Sequence, residues 1–282
     1  MAQKVVLITG CSSGFGLLAA VEAARRGHKV VATMRNVAKR AALDAAAQKA
    51  NVVVDVQACD VDNEASMHAC VADVQARYGH IDVLVNNAGF GMGGAVYDLT
   101  MAELRAQMET NFFGAVALTK EVLPAMLQRR SGLIINVTSV AALHSAPGTG
   151  AYNASKRALE GLSEALRFET EPFGVYVTTV LPGVFKTEVF EKRLSAQAAL
   201  AESSPYFKMS QQISAFVDDR AVNHGEDPRK VADVICNAID AHKPPLQVLV
   251  GVDARIQTWG RKVLPERLWF AIVARVMGVT RS

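Results

Sequence analysis

Short, continuous runs of Val, Ile and Leu alternate along this chain with longer segments whose apolar residues recur at helical spacing. The apolar runs predict strands over Lys4–Thr9, Lys29–Thr33, Val52–Ala58, Val83–Asn86, Leu133–Thr138, Tyr176–Leu181 and Gln247–Val250. Almost every position in them is apolar, as in strands buried on both faces. Helices are predicted between them, among them Gly16–Arg26, Glu64–Tyr78, Met101–Arg129 and Tyr152–Glu171. Strand, helix, strand in repetition makes an α/β fold: a doubly wound parallel sheet of about seven strands with helices on both faces.

No Pro/Gly/Ser-rich linker and no internal repeat divides the pattern, so residues 1–282 are expected to form a single domain. Two stretches break the rhythm. Residues 184–223 mix weak helical pattern with Ser, Gln and charges, which suits a lid over a substrate. Residues 252–282 form a basic and apolar C-terminal extension.

Composition narrows the function classes. Half of the 282 residues are hydrophobic and 20% are charged, with a formal excess of only three positive charges. That excess is too small and too dispersed to argue for a nucleic-acid partner. Cys11, Cys59, Cys70 and Cys236 show no C-x-x-C pair and no ligand-like spacing with histidine, so reduced thiols and no metal are expected. The apolar run after Met1 is too short for a signal peptide, and no stretch approaches the roughly 20 apolar residues of a membrane span. A soluble, cytoplasmic protein is the expectation.

The first predicted strand runs directly into Thr9-Gly10-Cys11-Ser12-Ser13-Gly14-Phe15-Gly16 and a helix. Glycines let a diphosphate approach the backbone without a Cβ in the way, and a helix start offers free N–H groups and partial positive charge. A plain strand-to-helix turn would hardly need three of them. This context, strand before and helix after, is that of a dinucleotide site on a Rossmann-type sheet. The second strand ends Thr33-Met34-Arg35-Asn36, where a carboxylate would bind an adenosine ribose 2′-hydroxyl. Arg35 stands there instead. A guanidinium suits a 2′-phosphate through charge-assisted bonds of roughly 1.5–3 kcal/mol each, and Ser12 offers a hydroxyl nearby. NADP(H) is therefore expected in preference to NAD(H).

Tyr152-Asn153-Ala154-Ser155-Lys156 opens a long helical pattern. Residues four apart share a helix face, so the phenol and the ammonium can serve one site. A nearby ammonium lowers a tyrosine pKa from near 10, as acid–base chemistry at neutral pH requires. The pair alone is common on ordinary helices. Ser139, however, follows the strand Leu133–Thr138 at its carboxyl end, Asn86-Asn87-Ala88-Gly89 ends the fourth strand, and Asn111 lies in the helix after that. Ligands gather at the carboxyl ends of strands in such sheets.

Over roughly residues 4 to 250 the chain resembles the short-chain dehydrogenase/reductase superfamily, nearest its hydroxysteroid- and retinol-dehydrogenase group. Gly10-Cys11-Ser12-Ser13-Gly14, Ala32-Thr33-Met34-Arg35-Asn36, Ala158-Leu159-Glu160-Gly161-Leu162 and Phe173-Gly174-Val175 carry the nearer likeness. The resemblance implies a catalytic tetrad of Asn111, Ser139, Tyr152 and Lys156. It also implies cofactor contacts from Gly10, Ser12, Ser13, Gly14, Phe15, Gly16, Arg35, Asp60, Val61, Asn87, Ala88, Gly89, Tyr152, Lys156, Pro182, Gly183, Phe185 and Thr187. Tyr152 would exchange a proton with the substrate oxygen and Ser139 would hold that oxygen. Lys156 would lower the Tyr152 pKa and bind the nicotinamide ribose, and Asn111 would order a relay water. Phe15 replaces the commoner Ile, a change a backbone-binding turn tolerates.

The expected activity interconverts a ketone or aldehyde and an alcohol. Pocket walls are expected from Phe90–Gly94, Ala141–Ser145, Phe185–Phe190 and the lid, with Ser139, His144, Ser145 and Phe190 touching the substrate. Phe185, Phe190, Tyr206, Phe207, Met209 and Phe216 argue for a hydrophobic small-molecule carbonyl or alcohol. A 3-oxoacyl thioester reductase, with a basic entrance for a carrier, and a non-catalytic NADP-sensing protein are the alternatives. A homodimer or homotetramer is expected. In the tail, Arg255, Arg261, Lys262, Arg267, Arg275 and Arg281 alternate with Trp259, Leu264, Leu268, Trp269, Phe270, Ile272, Val273 and Val276. A helix covering the cleft, or a subunit contact, is preferred for it over attachment to a membrane surface.

Overall fold

The computed structural model describes residues 2–186 and 194–279. Its strands are β1 (Val5–Ile8), β2 (Lys29–Met34), β3 (Asp55–Ala58), β4 (Val83–Asn86), β5 (Met92–Gly93), β6 (Gly132–Val137), β7 (Val175–Pro182), β8 (Leu194–Ser195) and β9 (Gln247–Val250). Its α-helices are α1 (Gly14–Arg25), α2 (Ala41–Lys49), α3 (Glu64–Tyr78), α4 (Met101–Met108), α5 (Gly114–Arg129) and α6 (Gly150–Thr170). They continue with α7 (Phe207–Asp219), α8 (Arg229–Asp240), α9 (Val252–Val263) and α10 (Glu266–Val276).

Seven strands pair in the order β3-β2-β1-β4-β6-β7-β9, all parallel. This is the expected Rossmann-type sheet. Side chains alternate across each strand, so neighbouring residues feed opposite layers. Val6, Ile8, Val83, Val85, Ile135 and Val180 pack with α1 and α8 on one face. Val5, Leu7, Leu84, Ile134 and Val177 pack with α3 and α5 on the other. Full burial of each such side chain contributes on the order of 1.5–3 kcal/mol. The strand order reverses between β1 and β4, which opens a crevice at their carboxyl ends.

Four elements differ from the sequence reading. The third strand starts at Asp55 rather than Val52, because Val53 turns out to solvent. The predicted helix Met101–Arg129 is broken by a π turn over Glu109–Phe113, which carries Asn111 inward. Helices α2 and α8, which the pattern does not single out, fill the outer layers beside α1.

The putty between sheet and site comes from the segments after β7 and β9. Residues 194–219 contain β8, a 3₁₀ turn over Gln197–Leu200, and α7. Helices α9 and α10 fold back toward it. Among the described residues no helix is long and apolar enough to cross a membrane.

Candidate active site

The turn after β1 is built on close backbone packing. A Cβ on Gly16 would lie 2.4 Å from Asn87 Nδ2 and 2.6 Å from the Gly10 carbonyl, so this position admits only glycine. Asn87 explains the crowding, since Nδ2 donates to the carbonyls of Thr9 (2.8 Å) and Gly10 (3.2 Å). In return the Thr9 hydroxyl accepts from the N–H groups of Asn87 and Ala88, both at 3.0 Å. The carboxyl ends of β1 and β4 are thereby locked together. Gly14 differs: its φ is +60° and nothing lies within 4 Å of where a Cβ would stand. It leaves open space at the start of α1, beside Ser12, Ser13 and Phe15.

Arg35 is exposed just past β2 and forms no ion pair with any described residue. Asp60 and Val61 follow β3; Asp60 Oδ1 accepts from the Asp62 N–H, and Val61 is buried against Gly114. Gly89 is exposed after β4, with Asn111 Oδ1 and Lys156 Nζ behind it. Pro182 and Gly183 close β7, where the Gly183 N–H donates to the Val250 carbonyl at 2.9 Å. Thr187 and Phe190 lie outside the described residues. Phe185 corrects the expectation of a pocket wall. It is fully buried in the core, edge-on to Phe15 at 5.7 Å, because the chain after Gly183 turns back beneath α1.

The proposed proton-transfer groups come together at the carboxyl end of β6 and the start of α6. The Ser139 side chain stands beside the Tyr152 phenol, and Tyr152 is partly buried on the wall of a large cavity. Lys156 is buried, donates to the Val137 carbonyl at 2.9 Å, and stands 5.9 Å from the Tyr152 ring centroid. Burial pushes the Tyr152 phenol above its usual range, against the pull of the Ser139 side chain. Burial likewise brings Lys156 down to about 8. The expected lowering of the Tyr152 pKa by Lys156 is thus not what this geometry gives. Burial is the larger influence on the phenol, and the Lys156 ammonium spends its hydrogen bond on the strand carbonyl. At neutral pH the phenol keeps its proton and can donate it, while Lys156 remains mostly charged.

Asn111 is fully enclosed. Its Oδ1 accepts from the Phe90 N–H, and its Nδ2 donates to the Phe90 carbonyl and to Ser155 Oγ at 3.1 Å. Both amide protons are used on protein, so the side chain pins the loop after β4 to α6. Gln107, which sequence reasoning missed, does the same from α4: it accepts from the Met92 N–H and donates to the Phe90 carbonyl. A polar residue without exposure on a helix was the available signal. Asn153, also missed, holds the loop after Ser139 by donating to the carbonyls of Ala141 (2.8 Å) and His144 (2.7 Å).

The cavity beside Tyr152 has a volume of about 1,020 Å³. Gly91–Gly94, Ala141, His144, Ser145, Phe207 and Phe216 line it, as expected, and α9 and α10 add Trp259 and Trp269. The C-terminal extension therefore covers the cleft. His144 joins it to the loop after Ser139: its Nε2 lies 3.1 Å from Thr258 Oγ1, and its ring packs on Trp269 at 5.7 Å. Burial, helped by the nearby charges of Arg157 and Arg261, lowers His144 to about 4, so the imidazole is neutral at physiological pH. Tyr206 instead packs on Tyr97. Among the described residues no cluster of His, Cys, Asp and Glu could hold a metal, and all four cysteines are free and buried.

A seven-stranded parallel sheet with this turn and this Ser–Tyr–Lys arrangement defines a class, and comparison with known proteins agrees. The short chain dehydrogenase family model matches residues 4–198. The chain belongs to the short-chain dehydrogenase family of oxidoreductases. It is 38% identical to human retinol dehydrogenase 8 over 262 residues, covering 87% of this chain and 81% of that protein. A short-chain dehydrogenase from Streptomyces avermitilis superposes with a TM-score of 0.82 at 37% identity, covering 97% of this chain and 98% of the other. A family structure from Burkholderia phymatum in complex with NAD gives a TM-score of 0.79 at 25% identity, covering 93% and 95% of the two chains.

Proposed function

We propose that this protein is an NADP(H)-dependent oxidoreductase that interconverts a hydrophobic ketone or aldehyde and its alcohol, with Tyr152 as the proton donor and acceptor. The observation that carries this reading is the phenol of Tyr152, beside Ser139 on the wall of a mainly apolar cavity of about 1,020 Å³. Such a cavity suits a hydrophobic substrate held with few polar contacts.

The residues present fit a nicotinamide dinucleotide. Gly14 has open space where a Cβ would stand, at the N-terminus of a 12-residue helix, so a diphosphate could approach the backbone there. Gly10, Ser12, Ser13, Phe15, Gly16, Asn87 and Ala88 would form the walls of that site, with Asp60 and Val61 toward the adenine and Gly89, Pro182 and Gly183 toward the nicotinamide. When bound, that group supplies the hydride, and the protein supplies orientation and charge. Arg35, exposed and without an ion-pair partner among the described residues, is where an adenosine 2′-phosphate would be recognised. That supports NADP(H) here even though the Burkholderia phymatum relative holds NAD.

Ser139 would hold the substrate oxygen while Tyr152 passes its proton to it in the reductive direction. Lys156 would bind the nicotinamide ribose and carry charge behind the phenol. Asn111 keeps the loop that carries Gly89 in place. The test is a panel of carbonyl and alcohol compounds read by absorbance with both cofactors. Turnover of apolar ketones or aldehydes with NADPH favoured is expected, and absence of any carbonyl or alcohol turnover would remove the reading.

A further inference from the structure

One face of the C-terminal helices is left without a partner. On α9, Val252, Ile256, Trp259 and Val263 are 61%, 62%, 67% and 52% exposed. Their spacing of four, three and four residues puts them on a single narrow stripe. Ala254 and Thr258, on the opposite side, are buried. On α10, Leu268, Ile272 and Val276 repeat the arrangement at intervals of four. Isolated exposed apolar residues need no explanation, but a continuous stripe over two adjacent helices does.

The stripe is also the rim of the cavity. Ile256, Trp259, Ile272 and Val276 are exposed to solvent and line the cavity that holds Tyr152. Charge is concentrated here too. Residues 252–279 carry Arg255, Arg261, Lys262, Arg267 and Arg275 against Asp253 and Glu266. That excess of three cations equals the formal excess of the whole chain. An apolar stripe flanked by Lys and Arg is the arrangement by which a helix lies in a bilayer interface, its apolar side in the acyl boundary and its cations at anionic headgroups.

We propose that α9 and α10 dock this protein on an anionic membrane surface, with the mouth of the cavity opening onto the bilayer. The attachment is peripheral, since no described helix can span. A second copy of the chain is a poorer occupant, because a twofold contact would set like charges face to face. An acidic carrier protein would use the cations but leave the apolar stripe in water. That apolar substrate passes directly from bilayer to cavity rests on the function proposed above; the docking itself does not.

Flotation of the full chain with phosphatidylcholine vesicles, with and without 30% phosphatidylserine, tests the proposal without any turnover. Binding is expected to the anionic vesicles, at least 10-fold tighter than to the neutral ones, and to weaken as salt is raised. Val263→Asp with Leu268→Asp should lower it at least 10-fold, and Lys262→Glu with Arg267→Glu should remove the preference for anionic lipid. None of these four residues lines the cavity, so circular dichroism and turnover of a water-soluble carbonyl serve as controls for folding. Failure of the wild-type chain to float with anionic vesicles overturns the proposal. So does a finding that the Asp variants dissociate an oligomer without changing flotation, or that an acidic carrier protein, and no vesicle, binds this face.

Discussion

Asn111 and Phe90 are joined by two hydrogen bonds running in opposite directions: the Phe90 N–H donates to Oδ1 at 3.0 Å, and Nδ2 donates to the Phe90 carbonyl at 2.9 Å. The side chain thus behaves like one unit of a strand edge, and it anchors the loop between β4 and β5. Asn111→Ala leaves the two backbone groups without these partners, each costing about 1–3 kcal/mol where water cannot replace them. A lower midpoint in urea denaturation is expected, together with reduced turnover. Asn111→Asp sets a carboxylate oxygen against the Phe90 carbonyl in an enclosed site and should be at least as destabilising as Asn111→Ala. Wild-type stability in Asn111→Ala would show that the loop is held by other contacts.

Much of this site can be read in the sequence because its parts follow strands. Ser139 comes after a mainly apolar run, and Asn86–Gly89 ends another, so both were expected at the carboxyl edge of a parallel sheet. The register and neighbours of those ends were also forced, since every residue of β1 and β4 is buried. What the pattern does not carry is the direction of single side chains. Phe185 reads as a pocket wall, yet it turns into the core, and the helical stretch from Met101 hides a π turn because Asn111 bonds to a loop distant in sequence. The balance at Lys156 was illegible for the same reason. Its burial and its bond to Val137 depend on tertiary packing, which spacing alone cannot reveal.

The proposed preference for NADP(H) rests on Arg35. Arg35→Ala should weaken NADPH binding at least 10-fold, as expected for loss of charge-assisted bonds worth roughly 1.5–3 kcal/mol each. NADH binding should change little. Fluorescence titration of both nucleotides checks this, and equal losses would take Arg35 out of the 2′-phosphate site.

His144 makes the fold sensitive to acid. Its folded-state pKa is lowered from 6.5 to about 4, chiefly by burial. As pH falls through 6.5 the unfolded imidazole takes up a proton that the folded one refuses until about pH 4. Stability from this group is therefore complete above pH 6.5 and is lost progressively down to pH 4, by roughly 3 kcal/mol. His144→Phe removes this component. The difference between wild-type and variant unfolding free energies should shrink or change in favour of the variant as pH drops from 7 to 4, and a pH-independent difference would contradict it.

Ser139 shares the Tyr152 phenol, so its loss should act on chemistry more than on nucleotide binding. Ser139→Ala is expected to lower kcat for carbonyl reduction by tenfold or more, with NADPH affinity kept. An equal fall in NADPH affinity would point to a structural role for the Pro182 side of the turn, to which Ser139 Oγ also donates at 3.4 Å.

The most direct test is the Tyr152→Phe variant, assayed on a carbonyl compound that the wild-type protein reduces. It keeps the ring on the cavity wall and removes only the proton that the phenol donates. A fall in kcat/KM of about 10²–10⁴-fold, with NADPH still bound, is the expected result. Wild-type turnover by Tyr152→Phe would contradict the assignment of this residue as the proton donor.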